Sequence, residues 1–141
     1  MFDLYGIDRL AKWREFRQQL EHSQTPLEDV AVFWSRAPFV SDYLNPKTPH
    51  NWPDPWHLIL DQKLDSLAIV LGMLYTIKLT QRFMDAVCEI HTSMPQKEKD
   101  CDYYLVIDDA YVLNFYYGTV APIADLKNVQ TNILFSVKTL Q

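Results

Sequence analysis

The chain has 141 residues, 48% hydrophobic and 13% aromatic, which is enough apolar surface for one real core and too much for a disordered chain. Eighteen acidic residues against thirteen basic ones give a formal charge of −5, which disfavours contact with a phosphate backbone. Only three glycines occur, Gly6, Gly72 and Gly118, so a glycine-rich phosphate loop cannot be built.

Residues 3–22 read as an amphipathic helix. Ile7, Leu10, Trp13 (or Arg14), Arg17 and Leu20 fall on successive turns, and Leu4, Ala11 and Phe16 widen the apolar stripe. Lys12, Arg14 and Arg17 form the one basic cluster, but Asp8, Glu15 and Glu21 are interleaved with them, which suits a solvated mixed-charge face. Thr25-Pro26-Leu27-Glu28 opens a second helix, with Pro26 at the first position and Thr25 and Glu28 placed for a capping box. That helix is expected to end near Arg36, ahead of Ala37-Pro38.

The connection 37–55 holds five of the eight prolines. Trp52 and Trp56 flank Pro53-Asp54-Pro55, and two indoles are too much apolar area to leave wet, so this loop should pack on the body. Asp54 and Pro55 start a short helix over 55–61. A long helix follows near 64–81. Its residues Leu64, Leu67, Ala68, Ile69, Val70, Leu71, Met73, Leu74 and Ile77 leave no polar face, and a helix apolar all round is a buried one.

After Thr80 the period changes from helical to alternating. Ala86, Cys88 and Ile90 alternate with Asp85, Val87, Glu89 and His91, which suits a strand with one wet face. Tyr103–Asp108 and Tyr111–Tyr117 predict a hairpin across Asp108-Asp109-Ala110, and a last strand covers Ile133–Thr139. Helices first and an antiparallel sheet second give the α+β class. The expectation is a single domain over 1–141, helical over 1–82 and sheet over 83–141, with a buried central helix packed on about four strands.

Chemistry-bearing motifs are few. The four histidines, His22, His50, His57 and His91, stand in no known zinc spacing, and no CxxC occurs. No serine-nucleophile elbow is present. Asp100, Asp102, Asp108 and Asp109 lack the glycine and the terminal glutamate of a calcium loop. Cys88 and Cys101 make no disulfide framework and read as reduced thiols. Met1-Phe2-Asp3-Leu4 shows no signal-peptide pattern, and the longest uncharged stretch, Ser66–Ile77, is short of the ~20 residues a bilayer requires. These features lead to expectations of a cytoplasmic location, no cofactor, no nucleic acid and no membrane.

The segment Leu64-Asp65-Ser66-Leu67-Ala68, opening a buried helix, resembles the Cys-acid-acid-aromatic-Ala segment of transglutaminase-like cysteine peptidases. Tyr103-Tyr104-Leu105-Val106-Ile107 followed by Tyr111-Val112-Leu113-Asn114 resembles their histidine-bearing strand and the strand after it. The resemblance covers about residues 52–118 and implies a papain-like fold with a Cys–His–Asp/Asn triad. The nucleophile position falls on Leu64 and the histidine position near Tyr103; only Asn114 matches its counterpart. The resemblance therefore implies a degenerate cleft of Leu64, Asp65, Tyr103 and Asn114, and a pseudoenzyme. The runs Trp52–Asp61 and Leu71–Thr76 also resemble small uncharacterised proteins of marine tailed phages, which implies an accessory or virion-associated role in a host cytoplasm.

Two functions remain open on these grounds. One is a non-enzymatic interaction or structural protein that meets a protein partner, or a second copy in a homodimer, through Trp52, Trp56, His57, Tyr103, Tyr116 and Tyr117. The other is a hydrolase or transferase with a site near His57, Asp61, Asp65 and Asn114.

Overall fold

The computed structural model describes residues 1–38, 43–61, 64–93, 102–126 and 131–138. Four α-helices come first: α1 (Gly6–Leu20), α2 (Pro26–Ser35), α3 (Pro55–Leu60) and α4 (Ser66–Lys78). Strands β1 (Cys88–Ser93), β2 (Tyr103–Ile107), β3 (Tyr111–Leu113), β4 (Val120–Pro122) and β5 (Thr131–Val137) follow. All pairings are antiparallel, in the order β4-β3-β2-β1-β5. The fold is α+β, as the element order predicts.

Helix α4 is the centre of the molecule. Ten of its thirteen residues are buried, on every side of the helix. It packs against α2, α3, β1 and β2. Asp65 caps its start by accepting from the Ala68 amide at 2.8 Å. The helix is shorter than the 64–81 expected, because Asp65 sits in extended backbone as the cap and Leu79 closes the other end. Leu64 lies buried just ahead, with its amide donating to the Pro38 carbonyl.

The sheet has two apolar faces. Cys88, Ile90, Leu105, Ile107 and Leu113 join the main core with the helices. Tyr104, Val106, Val112 and Leu126 form a smaller cluster with Phe115 and Ile123. A 3₁₀ turn at Ile123–Leu126 supplies the outer side of that cluster.

Five local expectations are corrected. The capping box of α2 does not form: the Thr25 side chain makes no cap bond, and instead the Thr25 and Ser23 hydroxyls both donate to Asp29. On α1 the buried positions are Arg9, Trp13 and Leu20, while Ile7 and Ala11 face out. The second hairpin strand stops at Leu113 rather than Tyr117, because Asn114 turns into left-handed backbone at φ +68. The chain then returns as β4, a three-residue strand too short for a period to show in sequence, which makes five strands instead of about four. The last strand runs Thr131–Val137 instead of starting at Ile133.

Candidate interaction surface

The residues singled out for a degenerate cleft or a hidden catalytic site all have holding roles. The Asp65 carboxylate accepts from the amides of Ala68, Tyr43 and Leu44, each at 2.8 Å. One carboxylate thus caps α4 and pins the connection before it. Asp61 accepts from the Tyr43 hydroxyl. Burial, and then this hydrogen bond and charge, push the Tyr43 hydroxyl well above its usual pKa. His57 turns back on the cap of its own short helix, with Nδ1 2.8 Å from the Asp54 carboxylate, and both side chains are largely exposed. Asn114 Nδ2 donates to the Tyr103 carbonyl at 2.9 Å.

Tyr43 therefore bonds both acids, Asp61 through its hydroxyl and Asp65 through its amide, and the Tyr103 backbone holds Asn114. No hydrogen bond among the described residues connects His57 or Asn114 to that pair. Cys88, the remaining described thiol, is wholly buried, and burial raises its pKa to about 12, far from the range of a nucleophile. Cys101 and Asp100 lie outside the described residues. On β1, His91 Nε2 meets Glu89 Oε1 at 3.3 Å and Nδ1 meets the Thr131 hydroxyl at 3.0 Å. Among the described residues no three His, Cys, Asp or Glu side chains gather as metal ligands.

The aromatic residues divide differently from the expectation. Trp52 packs on Phe135 at 5.5 Å between ring centres, and its Nε1 donates to the Asn45 carbonyl. Tyr103 packs against the main core. These two belong more to the body than to a contact surface. Trp56, Tyr116 and Tyr117 remain exposed, as does Tyr111. The Tyr117 hydroxyl donates to the Ser35 carbonyl, which leans its ring over the end of α2.

A surface groove of 790 Å³ opens between α1 and Trp56, lined by Ile7, Leu10, Ala11, Arg14, Glu15, Arg17, Gln18 and Trp56. Sequence reasoning missed it as a unit. Trp56 is 46% exposed and Ile7 82% exposed. Trp13, fully buried beneath α1, meets Trp56 edge-on at 5.6 Å and fixes its ring. The Arg17 guanidinium lies 4.3 Å from the Trp13 ring centre and 5.5 Å from that of Trp56, a cation held by two π faces. Its Nε is buried without a hydrogen-bond partner. Burial first, and the Arg14 charge second, lower the Arg17 pKa from its usual value.

Neither nearby carboxylate compensates these arginines. Glu15 pairs with Lys12 at 3.6 Å. Glu21 accepts from the amides of Gln81 and Arg82 at 2.8 and 3.1 Å, tying α1 to the 3₁₀ turn after α4. The sequence carries part of the signal for the groove in the basic cluster of Arg14 and Arg17, but the indole that closes it comes from α3.

No family model matches the chain, and neither the curated proteins nor the solved structures give a significant match. Among the described residues no helix is long and apolar enough to cross a membrane.

Proposed function

We propose that this chain is a non-enzymatic interaction or accessory protein built on a catalytically degenerate transglutaminase-like scaffold. The observation that carries the reading is where the aromatic area lies. Trp56, Tyr116 and Tyr117 stay at the surface, while Asp65 and Asn114 are committed to hydrogen bonds that hold the fold. Tyrosine and tryptophan offer large, rigid contact area with a polar tip, the composition that interface centres favour.

The scaffold part of the proposal is supported by a buried helix that opens at Leu64-Asp65 and packs on an antiparallel sheet. The buried leucine at the helix's leading end offers no nucleophile. A setting in the host cytoplasm or on a virion belongs to the same proposal and rests on the sequence runs that resemble phage proteins; self-association as a homodimer rests on the exposed tryptophan and tyrosine area.

The test is light scattering over a wide concentration range, combined with affinity capture of partners and mass spectrometry. The expected result is a defined complex, either a dimer or one recurrent partner, weakened by Tyr117→Ala or Trp56→Ser in variants whose circular dichroism is unchanged. A strict monomer that captures nothing would sink the proposal.

A further inference from the structure

The groove between α1 and Trp56 joins two features that rarely meet by accident on an acidic chain. One is apolar: Ile7, Leu10, Ala11 and Trp56. The other is a pair of cations one helical turn apart, Arg14 and Arg17, for which no carboxylate partner exists among the described residues. A contiguous exposed apolar patch rimmed by polar residues is the pattern of a contact site. Arg17 sharpens the point, because its Nε is already out of water and unsatisfied while its outer edge lines the groove.

We propose that this groove docks an acidic, apolar peptide segment of a partner protein, one that places two carboxylates on Arg14 and Arg17 and an apolar side chain between Ile7, Leu10 and Trp56. The inference rests on the interaction reading above and names the chemistry of the partner.

Geometry sets the spacing. Residues three apart on a helix stand roughly 5–6 Å from each other at Cβ. Two carboxylates on one helical face of the peptide, three or four residues apart, match that distance. From Ile7 to Arg14 the groove runs two turns, about 10 Å along the axis, so the apolar anchor sits one to two turns from the acidic pair. An amphipathic helix lying in a groove is the recognition mode that fits.

Charge complementarity chooses this occupant over the others. A second copy presenting the same face would bring four arginines into one interface whose own carboxylates, Glu15 and Glu21, are already engaged, and like charges across an interface are costly. A nucleic acid carries a continuous row of phosphates that two arginines on a chain of net charge −5 cannot match, whereas the peptide asks for only two cations, and Glu15 beside them is already paired with Lys12.

The experiment uses the full chain and labelled synthetic peptides of about 12 residues. Each carries one leucine or tryptophan anchor and two glutamates at varied spacing, with glutamine and lysine counterparts. Binding is read by fluorescence anisotropy. The expected result is at least one glutamate peptide bound roughly tenfold tighter than its glutamine counterpart, with affinity falling as salt rises from about 50 to about 300 mM. Arg14→Glu and Arg17→Glu should each weaken it by about tenfold or more. Arg14 is exposed, so Arg14→Glu decides the matter even if the Arg17 variant does not fold.

Three results would overturn the proposal: no peptide bound, glutamate and glutamine peptides bound alike, or binding unmoved by Arg14→Glu. Tighter binding of an oligothymidylate, or a dimer broken by Arg14→Glu, would replace the occupant. If no peptide binds while the chain still forms a defined complex sensitive to Tyr117→Ala, this proposal fails and the interaction reading stands.

Discussion

The hydroxyl of Thr76 organises the centre of the core. It accepts from Trp13 Nε1 at 3.0 Å and from Trp34 Nε1 at 2.9 Å, and donates to the Gly72 carbonyl at 2.7 Å. Both indoles are fully buried, so each N–H must find a partner inside the protein. Thr76→Val keeps the shape and removes the acceptor. Leaving two buried donors unsatisfied should cost about 2–4 kcal/mol in urea unfolding, with a change in tryptophan fluorescence. Gly72 belongs to the same arrangement, since a Cβ there would sit 2.3 Å from the Trp34 ring. Gly72→Ala would gain ~1 kcal/mol of helix propensity, but a clash of that depth in a close-packed core outweighs it.

Cys88 gives a pH prediction at the same scale. Burial holds its thiol near 12 in the folded chain against 9.0 in the unfolded chain. The unfolded state therefore releases a proton that the folded state keeps. This contribution is complete below pH 9 and is lost as pH rises from 9 towards 12. In a Cys101→Ser background, alkylation of Cys88 at pH 8 should wait on unfolding. Cys88→Ala should flatten part of the alkaline fall in Tm, and Tyr75, raised by burial to about 12, should maintain the rest.

Among the elements, Arg9 does the joining. Its side chain is 2% exposed and carries no ion pair among the described residues. Instead it donates to four backbone carbonyls: Phe2 and Leu4 before α1, and Ile59 and Asp61 at the end of α3. The guanidinium thus satisfies carbonyls that the end of α3 leaves open and pins the N-terminal segment to them. Arg9→Lys keeps the charge but cannot span four acceptors. It should cost about 2–3 kcal/mol and loosen residues 1–5 in hydrogen exchange, and Arg9→Met should cost more.

The hairpin turn is a second element-scale test. Asp108 and Asp109 both stand at φ +52, and the Ala110 amide donates to the Ile107 carbonyl, a type I′ arrangement. Asp108 is tied to Val87 by its carboxylate and by its amide, so only Asp109 is free to change. Asp109→Gly should raise stability by about 0.5 kcal/mol, read as a higher urea midpoint at unchanged slope.

Across the whole molecule, Lys78 links the helical layer to the sheet. Its ammonium, at the end of α4, donates to the carbonyls of Ala86 at 2.6 Å, Met84 at 2.7 Å and Phe83 at 3.4 Å, and to that of Lys138 just past β5. A cation at a helix C-terminus also complements the helix dipole. Lys78→Met should cost about 2–3 kcal/mol. Protection of β5 amides should fall more than that of β2, because β5 is an edge strand held on one side by β1 alone.

What the sequence determined by itself was whatever local pattern carries. Helix α4 was legible because its residues are apolar on all sides, and that pattern has no stable place except inside. The cap at Asp54, the hairpin and the burial of Cys88 and Ile90 follow from composition and period within a few residues. Tertiary structure alone decided the roles of Arg9, Thr76 and Lys78, and the groove under Trp56. Their partners lie up to sixty-three residues away in the chain. A buried arginine or lysine has no periodic signature, because what makes it tolerable inside is a set of carbonyls from other segments. Arg17 shows the same limit: its neighbours on α1 read as a solvated face until Trp56, from another helix, closed over it.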